Sequence, residues 1–410
     1  MFSNLISLVV LAVTTAVVCF VFGTTPCDAA EPAAATDAVV QGNNAFALDL
    51  YAKLRTESKG NVFLSPYSIS TALAMTYAGA KGKTAAEMAE VLHFTVPQEQ
   101  LHPAFAALGT ELHGDVKKEG FELRIANRLW GQTGYQFLPA FLQVTRDDYG
   151  AELGQLDFAA NAETARHTIN TWVEEKTERK IKDLIPSGML NATTRLVLTN
   201  AIYFNGDWQQ KFLPQASHDA PFQLTPEEKV TVPMMRQEKM FAYGVVGDVQ
   251  ILQLPYVGRR LAMFVLLPNA VDGLSDLEKR LSVETLKTWI SGAKMKMVDV
   301  SLPKFKMTSG FRLEKVLAAM GMAQAFSRDA DFSGMTGKRE LFLSAVIHKA
   351  FVDVKERGTE AAAATAGGMA MAMAPGQTAT FRADHPFLFL IRDNRTGSIL
   401  FLGRVVNPKE

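Results

Sequence analysis

Few short patterns in this 410-residue chain could carry chemistry by themselves. Gly79-Ala-Lys-Gly-Lys-Thr84 looks like the end of a phosphate-binding loop, but the first glycine of that motif would stand where the chain has Tyr77. The serine-hydrolase pattern Gly-x-Ser-x-Gly and the zinc-protease pattern His-Glu-x-x-His do not occur. The seven histidines lack metal-ligand spacing. The sequence therefore predicts no enzyme, no cofactor and no metal site.

The segment from Glu356 to Pro375 is the most informative part of the chain. Its charges end at Glu360, and residues 361–381 contain none. Apolar runs at 346–354, 387–391 and 400–402 predict strands on both sides of it. A flexible linker is one alternative, and a short alanine-rich helix stopped by Gly367-Gly368 is another. A long neutral loop between core strands nevertheless indicates a function.

Alternation makes this segment compatible with a strand of a sheet. Side chains of a strand point alternately to opposite faces. One face would carry only small or apolar residues: Thr359, Ala361, Ala363, Thr365, Gly367, Met369 and Met371. Between Glu356 and Pro375 there is no proline, so no backbone donor is missing from a ladder. The segment could therefore enter a sheet without burying a charge.

Composition places the chain among ordinary globular proteins. It is 48% hydrophobic and 20% charged. Local patterns predict a strand at 261–267, a helix capped by Ser68, and helices at 163–182 and 311–322. Helices and strands mix without βαβ regularity, which favours an α+β fold. Basic and acidic residues both number 42, so the net charge is zero and we expect no nucleic-acid partner. Asn191 and Asn394 begin glycosylation sequons, which matter only in a host that glycosylates.

The N-terminus has the pattern of a secretory signal peptide. An apolar run from Leu5 to Phe22 is followed by Cys27-Asp-Ala29, which suits cleavage after residue 29. An uncleaved membrane anchor is the alternative. Cleavage would remove Cys19 and Cys27, leaving a mature protein without disulfides. We expect a signal peptide at 1–29, a disordered spacer at 30–37 and one domain at 38–410, in a secreted, extracellular protein (periplasmic or on the cell surface in a bacterium).

Several motifs together resemble the serpin family of serine protease inhibitors. Gly358-Thr-Glu-Ala-Ala-Ala-Ala-Thr365 looks like the hinge of the inhibitory members. The resemblance covers nearly all of the mature chain in family order. It rests on residues 61–88, Asn127–Trp130, Thr199–Trp208, Val232–Met235, Leu254–Tyr256, Leu302–Phe305, Ala330–Met335, Asp384–Phe387 and Phe401–Arg404.

This resemblance implies a fold and a mechanism. The fold would have three β-sheets, about eight to nine helices and an exposed reactive-centre loop at about 356–382. The protein would trap a serine protease as a suicide substrate, forming an acyl-enzyme whose cleaved loop inserts into the central sheet. A non-inhibitory chaperone or ligand carrier with the same fold is the alternative function. We expect a monomer that forms a covalent protease complex, with no heparin-type site and no membrane contact after signal cleavage.

The resemblance also assigns residues to roles. Sheet opening would be controlled by Ser65, Ser68, Asn200 and His348. Trp208 and Lys304, which we expect to pair with Glu356, would lie where the loop enters the sheet. The hinge would comprise Glu356, Gly358, Thr359, Glu360, Ala361, Ala362, Ala363, Ala364 and Thr365.

Counting seventeen residues from Glu356, as the family pattern implies, places the cleaved bond between Ala372 and Met373. The bonds at Met371–Ala372 and Met373–Ala374 are rivals. All three offer small or medium apolar residues, which fit elastase-, chymotrypsin- or subtilisin-like proteases. A trypsin-like protease does not fit, because the nearest downstream arginine is Arg382.

Overall fold

Two β-sheets organise the molecule in a computed structural model that describes residues 30–112, 121–359 and 378–410. The described parts contain fifteen strands and ten α-helical segments. In chain order the helices are α1 (Ala30–Glu57), α2 (Pro66–Tyr77), α3 (Gly82–Val91), α4 (Gln98–Leu112), α5 (Pro139–Asp147), α6 (Phe158–Lys176), α7 (Leu274–Lys279), α8 (Val283–Gly292), α9 (Glu314–Leu317) and α10 (Ser333–Thr336). The strands are β1 (Val62–Leu64), β2 (Phe121–Gln132), β3 (Gly154–Leu156), β4 (Leu196–Asp207), β5 (His218–Gln223), β6 (Lys229–Val246), β7 (Val249–Pro255), β8 (Leu261–Pro268), β9 (Lys294–Pro303), β10 (Phe305–Arg312), β11 (Leu343–Lys355), β12 (Gly358–Thr359), β13 (Ala379–Arg382), β14 (Phe387–Asp393) and β15 (Ile399–Val405).

Sheet I has nine strands in the order β1-β15-β14-β8-β7-β6-β9-β13, with β5 paired to β6. Strands β8 and β15 are buried at every position, because nearly all their residues are apolar and both faces are covered. The ring of Phe63 stacks on Phe389 and Phe401 at centroid distances of 5.7 and 5.2 Å. The sequence correctly predicted strands at 261–267, 387–391 and 400–402.

Sheet II has six strands in the order β10-β11-β12-β4-β2-β3. Strands β4 and β11 run parallel and pair directly from Leu196 and Leu343 to Tyr203 and Phe351. Beyond that stretch the two-residue strand β12 stands between them. Helix α6 covers one face of β2, β4 and β11 with buried side chains that include Phe158, Ile169 and Val173.

The α+β class is confirmed, and the strands of the described residues form two hydrogen-bonded sheets where the resemblance implied three. Strand β6 is 18 residues long and pairs with β5, β9 and β7 in succession. Because β6 is shared in this way, the strands on either side of it belong to one continuous hydrogen-bonded sheet. The ten helical segments are roughly consistent with the eight or nine predicted, since α9 and α10 have four residues each. A single domain over 38–410 stays a prediction.

Three local predictions need correction. The expected disordered spacer at 30–37 is the start of helix α1, because alanine and glutamate favour helix and a proline is tolerated in its first turn. Helix α2 is capped by Ser65 rather than Ser68, whose backbone N–H donates to the Ser65 hydroxyl. Phe311 belongs to strand β10, and the helix predicted to begin at Phe311 begins instead at Glu314.

The predicted signal peptide, residues 1–29, lies outside the described residues. Within 30–112, 121–359 and 378–410, no helix is both long and apolar enough to cross a membrane. The predicted helix at 163–182 is present as α6, with different ends.

A glycine in sheet I provides a test of this packing. A β-carbon on Gly403 would lie 2.6 Å from the carbonyl oxygen of Val62 and 3.0 Å from the ring of Phe389. Gly403→Ala should therefore lower the free energy of unfolding by about 1–3 kcal/mol. In the matched control Gly310→Ala the nearest atom would be 3.7 Å away, so no loss is expected. Urea or thermal unfolding compares them, and equal midpoints would contradict this packing.

Candidate functional site

A buried polar cluster crosses three neighbouring strands of sheet II. Asn200 of β4 stands opposite Asn127 of β2 and opposite His348 of β11. Ser65 and Ser68 approach from the N-terminus of helix α2. Ser65, Ser68, Asn200 and His348 are each at most 1% exposed. The four residues that the sequence assigned to sheet-opening control thus lie together.

Hydrogen bonds join the cluster into one network. Asn200 Nδ2 donates to Ser68 Oγ at 2.6 Å and to Asn127 Oδ1, and Asn127 Nδ2 donates to the carbonyl of Ser68 at 3.2 Å. The Ser65 hydroxyl donates to the carbonyl of Leu400 in sheet I at 2.6 Å. The network therefore connects both sheets and helix α2, and it is satisfied only while these elements keep this arrangement.

His348 takes part in this network as a neutral imidazole. The backbone N–H of Ser65 donates to its Nε2 at 3.1 Å, so Nε2 carries no proton. Its Nδ1 then donates to Asn200 Oδ1. Burial lowers the pKa of His348 to about 3, in agreement with a neutral ring at physiological pH. Both ring nitrogens are engaged, so this histidine holds strands together and has no free lone pair for base catalysis.

A second constellation surrounds the end of strand β11. The indole of Trp208 stacks on Tyr256 at 4.6 Å, and its Nε1 donates to the carbonyl of Lys355 at 3.0 Å. The backbone N–H of Trp208 donates to the carbonyl of Arg357. The chain is thereby held where it turns away from β11 toward β12; that the loop enters the sheet beside Trp208 stays a prediction.

The predicted ion pair lies at the same turn. Lys304 Nζ is 2.5 Å from Glu356 Oε1, and the Ser217 hydroxyl donates to the same oxygen at 2.9 Å. Burial raises the pKa of Glu356, but hydrogen bonds from Lys304, from its own backbone and from Ser217 outweigh burial and leave the pKa below its usual value. Glu356 therefore stays ionised and anchors the turn.

Strand β12 contains Gly358 and Thr359 of the predicted hinge and lies within the sheet. Gly358 and Thr359 pair antiparallel with Lys355 and Val354 of β11 on one side. On the other side they pair antiparallel with β4. Thr359 is fully buried, and its Oγ1 lies 2.9 Å from the hydroxyl of Tyr256. Two residues of the hinge thus already occupy the space between β4 and β11.

Only glycine fits at position 358. A β-carbon there would lie 2.0 Å from the carbonyl oxygen of Gly206 in β4. The φ angle of +152° is also one that other residues rarely adopt. The backbone of the hinge can therefore approach β4 closely enough to pair with it.

The remaining hinge residues, Glu360 to Thr365, lie outside the described residues. So do the predicted cleavage position Ala372–Met373 and its rivals Met371 and Ala374. In the parts of the chain that the structure describes, no group of three or more His, Cys, Asp or Glu residues could hold a metal ion.

Sequence reasoning missed Asn127, Tyr256 and Ser217 as members of these constellations. Asn127 and Tyr256 do stand in two of the recognised motifs, Asn127–Trp130 and Leu254–Tyr256. Their convergence on Asn200 and Thr359 depends on strand register across residues far apart in sequence, which no local pattern contains.

Comparison with known proteins agrees with this fold. The model of the serpin family (serine protease inhibitors) matches residues 41–408. The chain is 45% identical to human leukocyte elastase inhibitor over 378 residues, covering 89% of this chain and 98% of the relative. Uncleaved ovalbumin superposes with a TM-score of 0.82 at 30% identity, covering 90% of this chain and 100% of that one. Human thyroxine-binding globulin gives 0.84 at 33% identity, covering 92% and 100%.

The chain belongs to the serpin family. The family match and the ovalbumin superposition confirm the predicted serpin fold. The family match and human leukocyte elastase inhibitor confirm the prediction of a protease inhibitor that is not an enzyme. A serine protease is accordingly the partner class, as predicted.

The relatives contradict the prediction of a secreted, extracellular inhibitor, which is therefore wrong. The alignment already covers 98% of human leukocyte elastase inhibitor. The remaining 2% is too short to contain a counterpart of the apolar run from Leu5 to Phe22, and the family match begins only at residue 41. The comparison thus points away from secretion and gives the predicted signal peptide no support.

The buried histidine predicts a dependence of stability on pH. The folded-state pKa of His348 is about 3, while an unfolded histidine titrates near ~6.5. Between these values only the unfolded state binds the proton, so stability is retained above ~6.5 and falls as the pH decreases, by up to about 1.4 kcal/mol per pH unit. In His348→Gln the urea midpoint should fall less steeply from pH 7 to 5 than in the wild type.

His102 provides the control for this measurement. It is buried outside the cluster, and burial lowers its pKa to about 4. His102→Gln should reduce the pH dependence similarly while leaving the cluster intact. If His348→Gln kept the wild-type dependence of the urea midpoint on pH, the imidazole would titrate alike in the folded and the unfolded protein. That result would contradict its role as a neutral group in the folded state.

Proposed function

We propose that this chain inhibits an elastase-like serine protease by suicide-substrate trapping. The observation that carries the proposal is strand β12, which has turned into the space between β4 and β11. The protease serine attacks the carbonyl of Ala372, the peptide bond to Met373 breaks, and the new amine leaves with a proton. The N-terminal part of the loop, still esterified to the protease, then continues β12 into sheet II.

Register supports the compatibility of the loop with this path. Thr359 pairs with Val354 and with Gly206, so each further residue of an extended β12 pairs one position lower on both neighbours. Thr365 would then lie between His348 and Asn200. Moving about sixteen residues into the sheet at about 3.3 Å each carries the protease roughly 50 Å.

The buried cluster would act as a latch on this movement. Inserting a strand between β4 and β11 must break the hydrogen bond between His348 and Asn200. The Thr365 hydroxyl would arrive at the same level and can both donate and accept. We propose that Ser65, Ser68, Asn200 and His348, together with Asn127, delay opening until cleavage frees the loop. The uncleaved state is then kinetically trapped.

The target class follows from the loop and from the relatives. Small and medium apolar residues at 371–374 suit an elastase-like pocket, and the relatives at 45% identity are named leukocyte elastase inhibitors. We propose cleavage at Ala372–Met373, with the bonds at Met371–Ala372 and Met373–Ala374 as rivals.

A ligand carrier is the second candidate, favoured by the similarity to thyroxine-binding globulin. The small residues at 359 and 361–366 argue for the inhibitor, since a carrier has no need of an insertable hinge.

Incubation with leukocyte elastase tests the main proposal. We expect a one-to-one complex that survives boiling in SDS, together with a released peptide that begins at Met373 in mass spectrometry. Complete cleavage without a stable complex, or no cleavage, would contradict inhibition.

Charges placed on the two faces of the hinge test insertion itself. Ala361 would share the buried face with Thr359, so Ala361→Glu should convert most of the inhibitor into cleaved substrate because insertion would bury a carboxylate. The control Glu360→Lys changes the charge on the opposite face, level with the half-buried Asp353 and Asn205, and should retain most of the complex. Equal complex yields from both variants in SDS gels would argue against strand insertion.

A further inference from the structure

An exposed apolar patch lies on the outer face of sheet I. Met295 and Met297 of β9 are 62% and 39% exposed. Across the ladder, Met297 pairs with the half-buried Met240 of β6, and Met295 pairs with Ala242. Directly opposite residues share one face of a sheet. These four residues form what we name the methionine face.

The alternate residues of β6 point the other way. Phe241 and Tyr243 are 1% and 7% exposed and pack into the core. The three methionines lie on the face that is turned away from the core, so packing in the core does not explain why these positions are apolar. Flexible, polarisable methionine side chains are typical of surfaces that adapt to a partner.

The loop that carries the cleaved bond returns to the fold beside this face. Strand β13 runs parallel to β9, with Ala379 opposite Val298. One step back, Thr378 is level with Met297, and its hydroxyl donates to Glu238 Oε1 at 3.0 Å. The N-terminal end of β13 is thus directed along β9 toward Met297 and Met295.

Chain length then limits where a bound protease can be. Met373 precedes Thr378 by five residues, which span at most about 17 Å. A specific protein complex buries about 800 Å² on each partner, a footprint roughly 30 Å across. Met295 and Met297 are two residues apart, about 7 Å along the strand. A protease holding the bond at 372–373 must therefore lie within reach of the methionine face.

The surroundings of the face also suit a docking surface. Next to the methionines, on the same face, Arg236 donates to Asp299 through two hydrogen bonds of 2.8 and 2.7 Å. Glu238 lies opposite Asp299 in the same ladder. An apolar centre bordered by charged residues is the usual composition of a protein interface.

We propose that the methionine face is a secondary contact for the target protease, engaging apolar surface beside its active-site cleft before the loop is cleaved. This inference rests on the proposed inhibitory function, because the loop must be the segment that the protease binds. The face would affect how fast the complex forms, and the loop and latch would determine whether it persists.

Kinetics of elastase inhibition test the inference. Met295→Ser combined with Met297→Ser should lower the second-order rate constant for leukocyte elastase about tenfold while leaving the inhibition stoichiometry unchanged. The control Val245→Ser changes an exposed residue of β6 on the opposite face and should leave the rate constant unaltered. The single variant Met295→Ser, at the most exposed methionine, should show an intermediate loss and guards against a folding defect.

Other outcomes would overturn the inference. An unchanged rate constant in the double variant would exclude the contact. An equal loss against subtilisin, whose surface is unrelated to that of elastase, would indicate that the loop itself rests on the face. A wild-type dimer in sedimentation that the substitutions dissolve would assign the face to a second copy. If the wild type forms no stable complex with elastase, the proposed function fails first and this inference falls with it.

Discussion

The structure depends on the contact between two parallel strands that are neighbours only for part of their length. Strands β4 and β11 pair directly up to Tyr203 and Phe351, and beyond that point β12 separates them. At one end of this contact a third strand, β12, already lies between the two strands, while along the rest β4 and β11 pair directly with each other. The buried polar cluster lies along this contact, and Trp208 and the Lys304–Glu356 ion pair lie at the turn that leads into β12.

The cluster that we propose as a latch between β4 and β11 is polar and uncharged, which suits a contact that would have to break. A buried ion pair would be costly to separate, because each charge would lose its partner in a medium of low polarity. Neutral amide, hydroxyl and imidazole groups can instead exchange partners with an incoming backbone or hydroxyl. The nearby charges belong to Glu356 and Lys304, which lie at the turn, and both side chains remain partly exposed to water.

Sequence reasoning supplied part of this picture. Strong apolar periodicity predicted the strands around the loop, and the small residues of the hinge predicted its ability to insert. The convergence of Ser65, Ser68, Asn200 and His348 came from the family resemblance, because their separation along the chain gives no local signal. Asn127 and Tyr256 were missed for the same reason. The spacer at 30–37 was mistaken for disorder because only its composition was weighed, although alanine in a continuous run also favours helix.

The central claim is that the hinge continues β12 between β4 and β11 when the protease is trapped. Hydrogen exchange measured by mass spectrometry tests it directly on residues 360–370, before and after complex formation with leukocyte elastase. Extended pairing on both sides would give these amides strong, lasting protection in the complex. Free exchange of the same amides in an SDS-stable complex would contradict the claim, because the protease would then be held without a new strand.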